Sequence, residues 1–288
     1  HVKISFCDDD LRDRPLSESA VKVLSSGNAN QRIAVTRNII DIFQKGDFSS
    51  AKAGSYIRNV LKERERFGDN KKILPLLKYS AALLYLKSGD SVKALKEFVG
   101  AIEAAPKNDI ISHLANIMAG DIERRAGHSS EAEKYYSEGF NSHSRRFRTE
   151  NLRDRLLWLV DYYEQTGIRL SASGRYKEGA GNHEKNIELL TKMHNRRLFP
   201  DIYTDYAARA HVLYIDSYIA WKGEKSVTEL EASYKGNTPL FRMDRNKAAL
   251  YGFAYIYTRK ALYHDGEAPA DPEIRREVQV VQALADSD

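Results

Sequence analysis

The sequence has a single cysteine, Cys7, so no disulfide can close within the chain and no zinc site built on cysteine pairs is available. Long apolar runs are missing too. Residues 81–86 and 156–160 are among the longest, far below the roughly 20 residues of a bilayer-spanning helix. Charge of one sign is scarce: 45 Lys and Arg stand against 40 Asp and Glu, a net +5, which excludes a polycation. What is present is a foldable mixture of 42% hydrophobic and 30% charged residues, outside the low-hydrophobicity composition of a disordered chain. At 288 residues such a chain buries roughly 70–75% of its unfolded surface without covalent staples.

The chain begins with His1 and shows no charged segment leading into an apolar one, so it carries no readable signal peptide and reads as an excised or processed piece. A lone cysteine leaves the compartment open, cytoplasm or periplasm.

Turn signals recur. Gly46, Gly89, Gly127, Gly174, Gly223 and Gly266 each follow a stretch with helical apolar spacing, at separations of 43, 38, 47, 49 and 43 residues. A stack of helical hairpins demands such regularity, because each helix pair with its turn uses a nearly fixed length. The clearest unit starts at Pro75. Leu77, Ala81, Leu84 and Tyr85 line one face of a first helix, Gly89 closes it, and Asp90 or Ser91 caps a second. That second helix turns Ala94, Leu95, Phe98, Ala101 and Ile102 inward, and Pro106 ends it.

This unit resembles a tetratricopeptide repeat, a 34-residue helix pair with small residues at its eighth, twentieth and twenty-seventh positions and large ones at its eleventh and twenty-fourth. Those positions hold Ala82, Ala94, Ala101, Tyr85 and Phe98. A second unit from His113 places Gly120, Gly127, Ala132, Tyr136 and Gly139 in the same register, with Glu123 at a large position and Ser144 where proline is usual. Around Gly174 the pattern keeps Gly167 and Gly179 but sets His183 where an aromatic is usual. Around Gly46 the turn and Ala51 remain; around Gly223 and Gly266 only helical spacing does. The resemblance implies an all-α, right-handed superhelical solenoid of antiparallel helix pairs. We expect a polar lead over residues 1–16 and one domain over 17–288, capped by a last helix from about 273.

No catalytic constellation emerges. No glycine motif has the strand-turn-helix context of a phosphate loop, and no two of the eight histidines stand three or four residues apart. Asp8, Asp9 and Asp10 lack the glycine and distal glutamate of a calcium loop, and a solvated terminus explains them better. No serine elbow is present, and nothing pairs Cys7 with a histidine. The expectation is a protein that is not an enzyme and needs no cofactor or metal.

Hairpin stacks curve, and their inner helices offer a groove for an extended peptide or a partner helix. By the resemblance, Tyr79, Leu83 and Lys87 of the first unit and Ile117, Asp121, Arg124 and Arg125 of the second face it. Chaperone-tail binders of the family place a lysine and asparagines there, so Tyr79, Leu83, Ile117 and Asp121 argue against that use. Arg145, Arg146 and Arg148, with Arg153 and Arg155, suit acidic peptides or phosphates, or else form a solvated helix start beside Glu150 and Asp154. The slight net charge and the lack of a nucleic-acid-binding module speak against nucleic acid. Beyond residue 200 tyrosines accumulate. Tyr214 and Tyr218 belong to a helical series with Tyr203, Tyr206 and Trp221, which suits either a ligand edge or a core. Two functions remain: a protein- or peptide-binding scaffold, and a sensory or regulatory input domain that answers a small ligand or signalling peptide.

Overall fold

The computed structural model describes residues 18–27, 31–32, 35–36, 39–40, 50–67, 70–106, 109–141, 151–223, 225–236, 241, 247–264, 272, 275–276 and 279. Among them every regular element is helical and none is a strand, so the protein is all-α as expected. No described helix is long and apolar enough to cross a membrane. Contacts divide the chain into two units, His1–Thr149 and Glu150–Asp288, where one domain was expected. Residues 1–16 lie outside the described residues. Of the expected last helix, Pro272, Arg275, Arg276 and Gln279 are helical and exposed.

The first unit holds α1 (Glu18–Ser26), α2 (Ser50–Arg66), α3 (Leu74–Lys87), α4 (Ser91–Ala104), α5 (Ile110–Arg125) and α6 (Ser129–Asn141). From α2 onward each helix packs on the next, and α3 also touches α5. In the second unit α7 (Leu152–Ala172), α8 (Tyr176–Asn195) and α9 (Pro200–Lys222) pack in succession, and α10 (Ser226–Lys235) and α11 (Lys247–His264) close on α9 and on each other.

Four of the six turn glycines are described, and all four adopt the left-handed conformation: Gly89, Gly127, Gly174 and Gly223 have φ of 84°, 82°, 80° and 82°. Gly46 and Gly266 lie outside the described residues. The first three turns share one hydrogen-bond pattern. The amide three residues past the helix reaches back five residues, Asp90 to Tyr85, His128 to Glu123 and Arg175 to Leu170, each at 2.9 Å, while the glycine amide bonds three residues back. This double closure satisfies carbonyls that the helix end would leave bare. Asp90 then caps α4 by accepting from the Lys93 amide at 3.0 Å.

Within the hairpins one packing rule recurs. Ala82, Ala94, Phe98 and Ala101 are fully buried between α3 and α4. Between α5 and α6, a Cβ on Gly120 would lie 2.7 Å from the Tyr136 ring, and one on Gly139 would lie 2.8 Å from Ile117 Cδ1. Between α7 and α8, a Cβ on Gly167 would collide with the His183 imidazole, and one on Gly179 with the Ser171 hydroxyl. In α5–α6 and α7–α8 a small residue thus faces the large residue sixteen positions on, in one antiparallel register, and buried Ala82 and Phe98 stand at the same separation in α3–α4.

Candidate functional site

The residues expected to face a groove divide sharply. Tyr79, Leu83, Ile117 and Asp121 are all buried, which corrects their placement on an open face. Tyr79 meets Phe98 edge-on with ring centroids 5.4 Å apart, Ile117 packs on Gly139, and Asp121 accepts a 2.6 Å hydrogen bond from the Tyr136 hydroxyl. These three are turned into their own hairpins. The reason lies in α3 and α5 themselves, which bury residues on every side, polar His113, Asn116 and Glu123 of α5 included, so polarity does not mark an outer face. Lys87 and Arg124 are half-buried and Arg125 is exposed, at helix ends where cations complement the carbonyl dipoles.

Arg145, Arg146 and Arg148 lie outside the described residues. Their neighbours are engaged: Arg153 pairs with Asp201 at 2.5 Å, tying the start of α7 to α9, and Arg155 is buried. Tyr214 and Tyr218 do come together, centroids 5.7 Å apart, and Tyr218 continues edge-on to Trp221 at 5.6 Å. Tyr214 belongs to the core, whereas Trp221 emerges at 39% exposure with the Lys222 ammonium 4.6 Å from its ring. Most of the tyrosine-rich region is core. His211, fully enclosed, shares a 2.7 Å hydrogen bond with the Tyr234 hydroxyl, and burial depresses its pKa to about 3.

Two features were not singled out from sequence. The first is an open groove of about 830 Å³ in the first unit, lined by Arg64 and Glu65 of α2, Leu74 and Lys78 of α3, much of α4, and Tyr135 of α6. Its apolar floor is Val92, Leu95 and Val99, at the i, i+3, i+7 spacing of one α4 face, with Val92 81% exposed. Arg64 and Glu97 neutralise each other across it at 2.7 Å, leaving Lys78, Lys96, Glu65 and Glu103 along its sides.

The second is a polar layer inside α7–α8. His183 and Asn186 are fully buried, and both imidazole nitrogens and both amide atoms of these side chains find no hydrogen-bond partner among the described residues. The register that sets Gly167 on His183 and Ser171 on Gly179 puts Glu164 opposite Asn186. Glu164 is 3% exposed; one carboxylate oxygen pairs with Arg209 at 3.3 Å and the other, Oε2, has no hydrogen bond. Burial lowers the His183 pKa to about 4, keeping the ring neutral near pH 7, and raises that of Glu164 against the pull of Arg209. The matching layer has no imidazole, amide or carboxylate in the other hairpins: Tyr79, Phe98 and Ala101 in one, Ile117, Tyr136 and Gly139 in the next. His183 stood out in the sequence as a departure from the pattern. Asn186 was missed, though it takes the twenty-seventh position, where the other units have alanine or glycine.

Among the described residues no three His, Cys, Asp or Glu side chains come together as metal ligands. No family model, curated protein or solved structure matches the chain, so the chemistry of these sites must speak for itself.

Proposed function

We propose that the chain is a non-catalytic, tetratricopeptide-like solenoid of antiparallel hairpins that binds a protein or peptide, as part of a larger regulatory or assembly protein. Support for the architecture comes from the packing rule that α5–α6 and α7–α8 share and from the turn geometry common to three hairpins. The observation that carries the binding role is the apolar stripe of exposed Val92 and half-buried Leu95 and Val99 in an open groove. A solvent-facing valine at 81% exposure, aligned with two more apolar side chains, contributes nothing to folding that a polar residue would not. The matching occupant is an amphipathic helix, whose apolar face covers the stripe while its flanks meet Lys78 and Lys96 or Glu65 and Glu103. The test is affinity capture with the wild-type chain and with Val92→Glu/Val99→Lys. A partner held by the first and lost by the second, at unchanged melting temperature, supports the groove; identical partner sets contradict it.

A second reading, a sensory or regulatory input domain, draws on the polar layer, since a hairpin interior that carries an imidazole, an amide and a carboxylate where its neighbours carry aromatic and small residues departs from what packing alone requires. A sensor changes compactness or dimerises when its ligand binds, which small-angle scattering would register; a scaffold keeps its shape.

A further inference from the structure

We propose that the α7–α8 hairpin encloses a structural water molecule that bridges Glu164, His183 and Asn186. The three side chains come from facing turns of two antiparallel helices, are each at least nine-tenths buried, and together present five polar atoms without a hydrogen-bond partner among the described residues.

Each such group, if left bare, carries a desolvation cost that a folded protein rarely tolerates, and three adjacent ones compound it. Their chemistry is complementary. A neutral imidazole offers one N–H and one lone pair, the asparagine amide offers both donors and acceptors, and Glu164 Oε2 accepts. A water molecule donates twice and accepts twice, and buried waters typically hold about three hydrogen bonds, which this layer supplies. On the Gly167 side the ring is closed, because a Cβ there would collide with the imidazole. In the other two hairpins Phe98 and Ala101, or Tyr136 and Gly139, fill the positions of His183 and Asn186, all of them buried. The site is independent of the groove in the first unit, and its failure would leave the binding proposal untouched.

The experiment uses the full chain labelled with ¹³C and ¹⁵N at histidine only, with the His183 ring resonances assigned by their loss in His183→Phe. Cross-peaks between water and the His183 ring that have opposite signs in laboratory-frame and rotating-frame Overhauser spectra, the mark of a long-lived buried water, and that are abolished in Asn186→Ala, are the expected result. Their absence, or their persistence in Asn186→Ala, overturns the proposal. Thermal melting of Asn186→Ala is an independent check. An asparagine held through water is missed when removed, so the melting temperature falls; an asparagine buried without a partner is better replaced by the alanine that hairpin α3–α4 carries, so a rise would overturn the bridge.

Discussion

The Cα of Gly167 lies against the imidazole of His183, the counterpart in α7–α8 of Gly120 against Tyr136 in α5–α6. Sixteen residues separate the members of each pair, and the contact sets how closely the two helices approach. A side chain at Gly167 must push the ring or the helix aside. Gly167→Ala should therefore destabilise the protein by about 1–3 kcal/mol. Gly181, on the same helix as His183 but facing open space, should gain about 0.5–1 kcal/mol from the same change, through helix propensity alone. Urea denaturation of both variants checks the pair, and equal effects would refute the register.

The turn at the end of α8 follows the three glycine turns in all but one respect. Leu198 donates back to Met193 and Arg197 back to His194, yet the left-handed position, φ 53°, is filled by Arg197. An L-residue pays roughly 1 kcal/mol for that conformation. Arg197→Gly should raise stability by up to about 1 kcal/mol, whereas Gly127→Ala, with open space around it but φ of 82°, should lower it by about 1–2 kcal/mol. Thermal melting of the two variants distinguishes this conformational cost from steric crowding.

Two pH windows should be separable. His183 is neutral in the folded protein down to about pH 4, while the unfolded chain takes up its proton near 6.5. Its contribution is therefore complete above pH 6.5 and is lost as pH falls toward 4, by about 3 kcal/mol at most, since each unit of pKa shift corresponds to about 1.4 kcal/mol. His211 acts in the same direction, its folded pKa held down to about 3 by burial. Glu231 covers the lower window. Burial favours its neutral form, but hydrogen bonds from Lys235, Lys260 and Tyr257 outweigh that and bring its pKa down to about 2, so its contribution disappears only below 4.5. Denaturation from pH 7 to 3 should show a first decline that His183→Phe flattens and a second that Glu231→Gln flattens. A decline between pH 6.5 and 4 that is unaltered in His183→Phe would refute the enclosed neutral imidazole.

The turns and the small positions were legible because each depends on one residue type in one local conformation: a glycine at positive φ, or an alanine or glycine where two helices meet. The α8–α9 turn was silent for the converse reason, since Arg197 occupies the left-handed position and no glycine announces it. The direction of the binding face was illegible. In α3 and α5 buried residues run all the way round, polar His113, Asn116 and Glu123 of α5 among them, so spacing alone cannot say which side meets the hairpin mate, and Tyr79, Ile117 and Asp121 proved to face inward. The apolar stripe on α4 was hidden in the opposite way, because Leu95 looks like core and Val92 and Val99 look unremarkable until α2, α3 and α6 are set beside them. The polar layer needed the facing helix: His183 was visible as a departure from the pattern, but only the register with Glu164 and Asn186 makes it one of three.

The proposed role of the groove is tested most directly by a photo-crosslinking amino acid placed at Val92, with the same probe at exposed Glu188 on α8 as control. If the stripe on α4 is where a partner docks, irradiation in an extract of the source cells yields a discrete adduct from position 92 that is absent from position 188 and disappears when Val99→Lys is added. No adduct at position 92, or the same adducts from both positions, would contradict it.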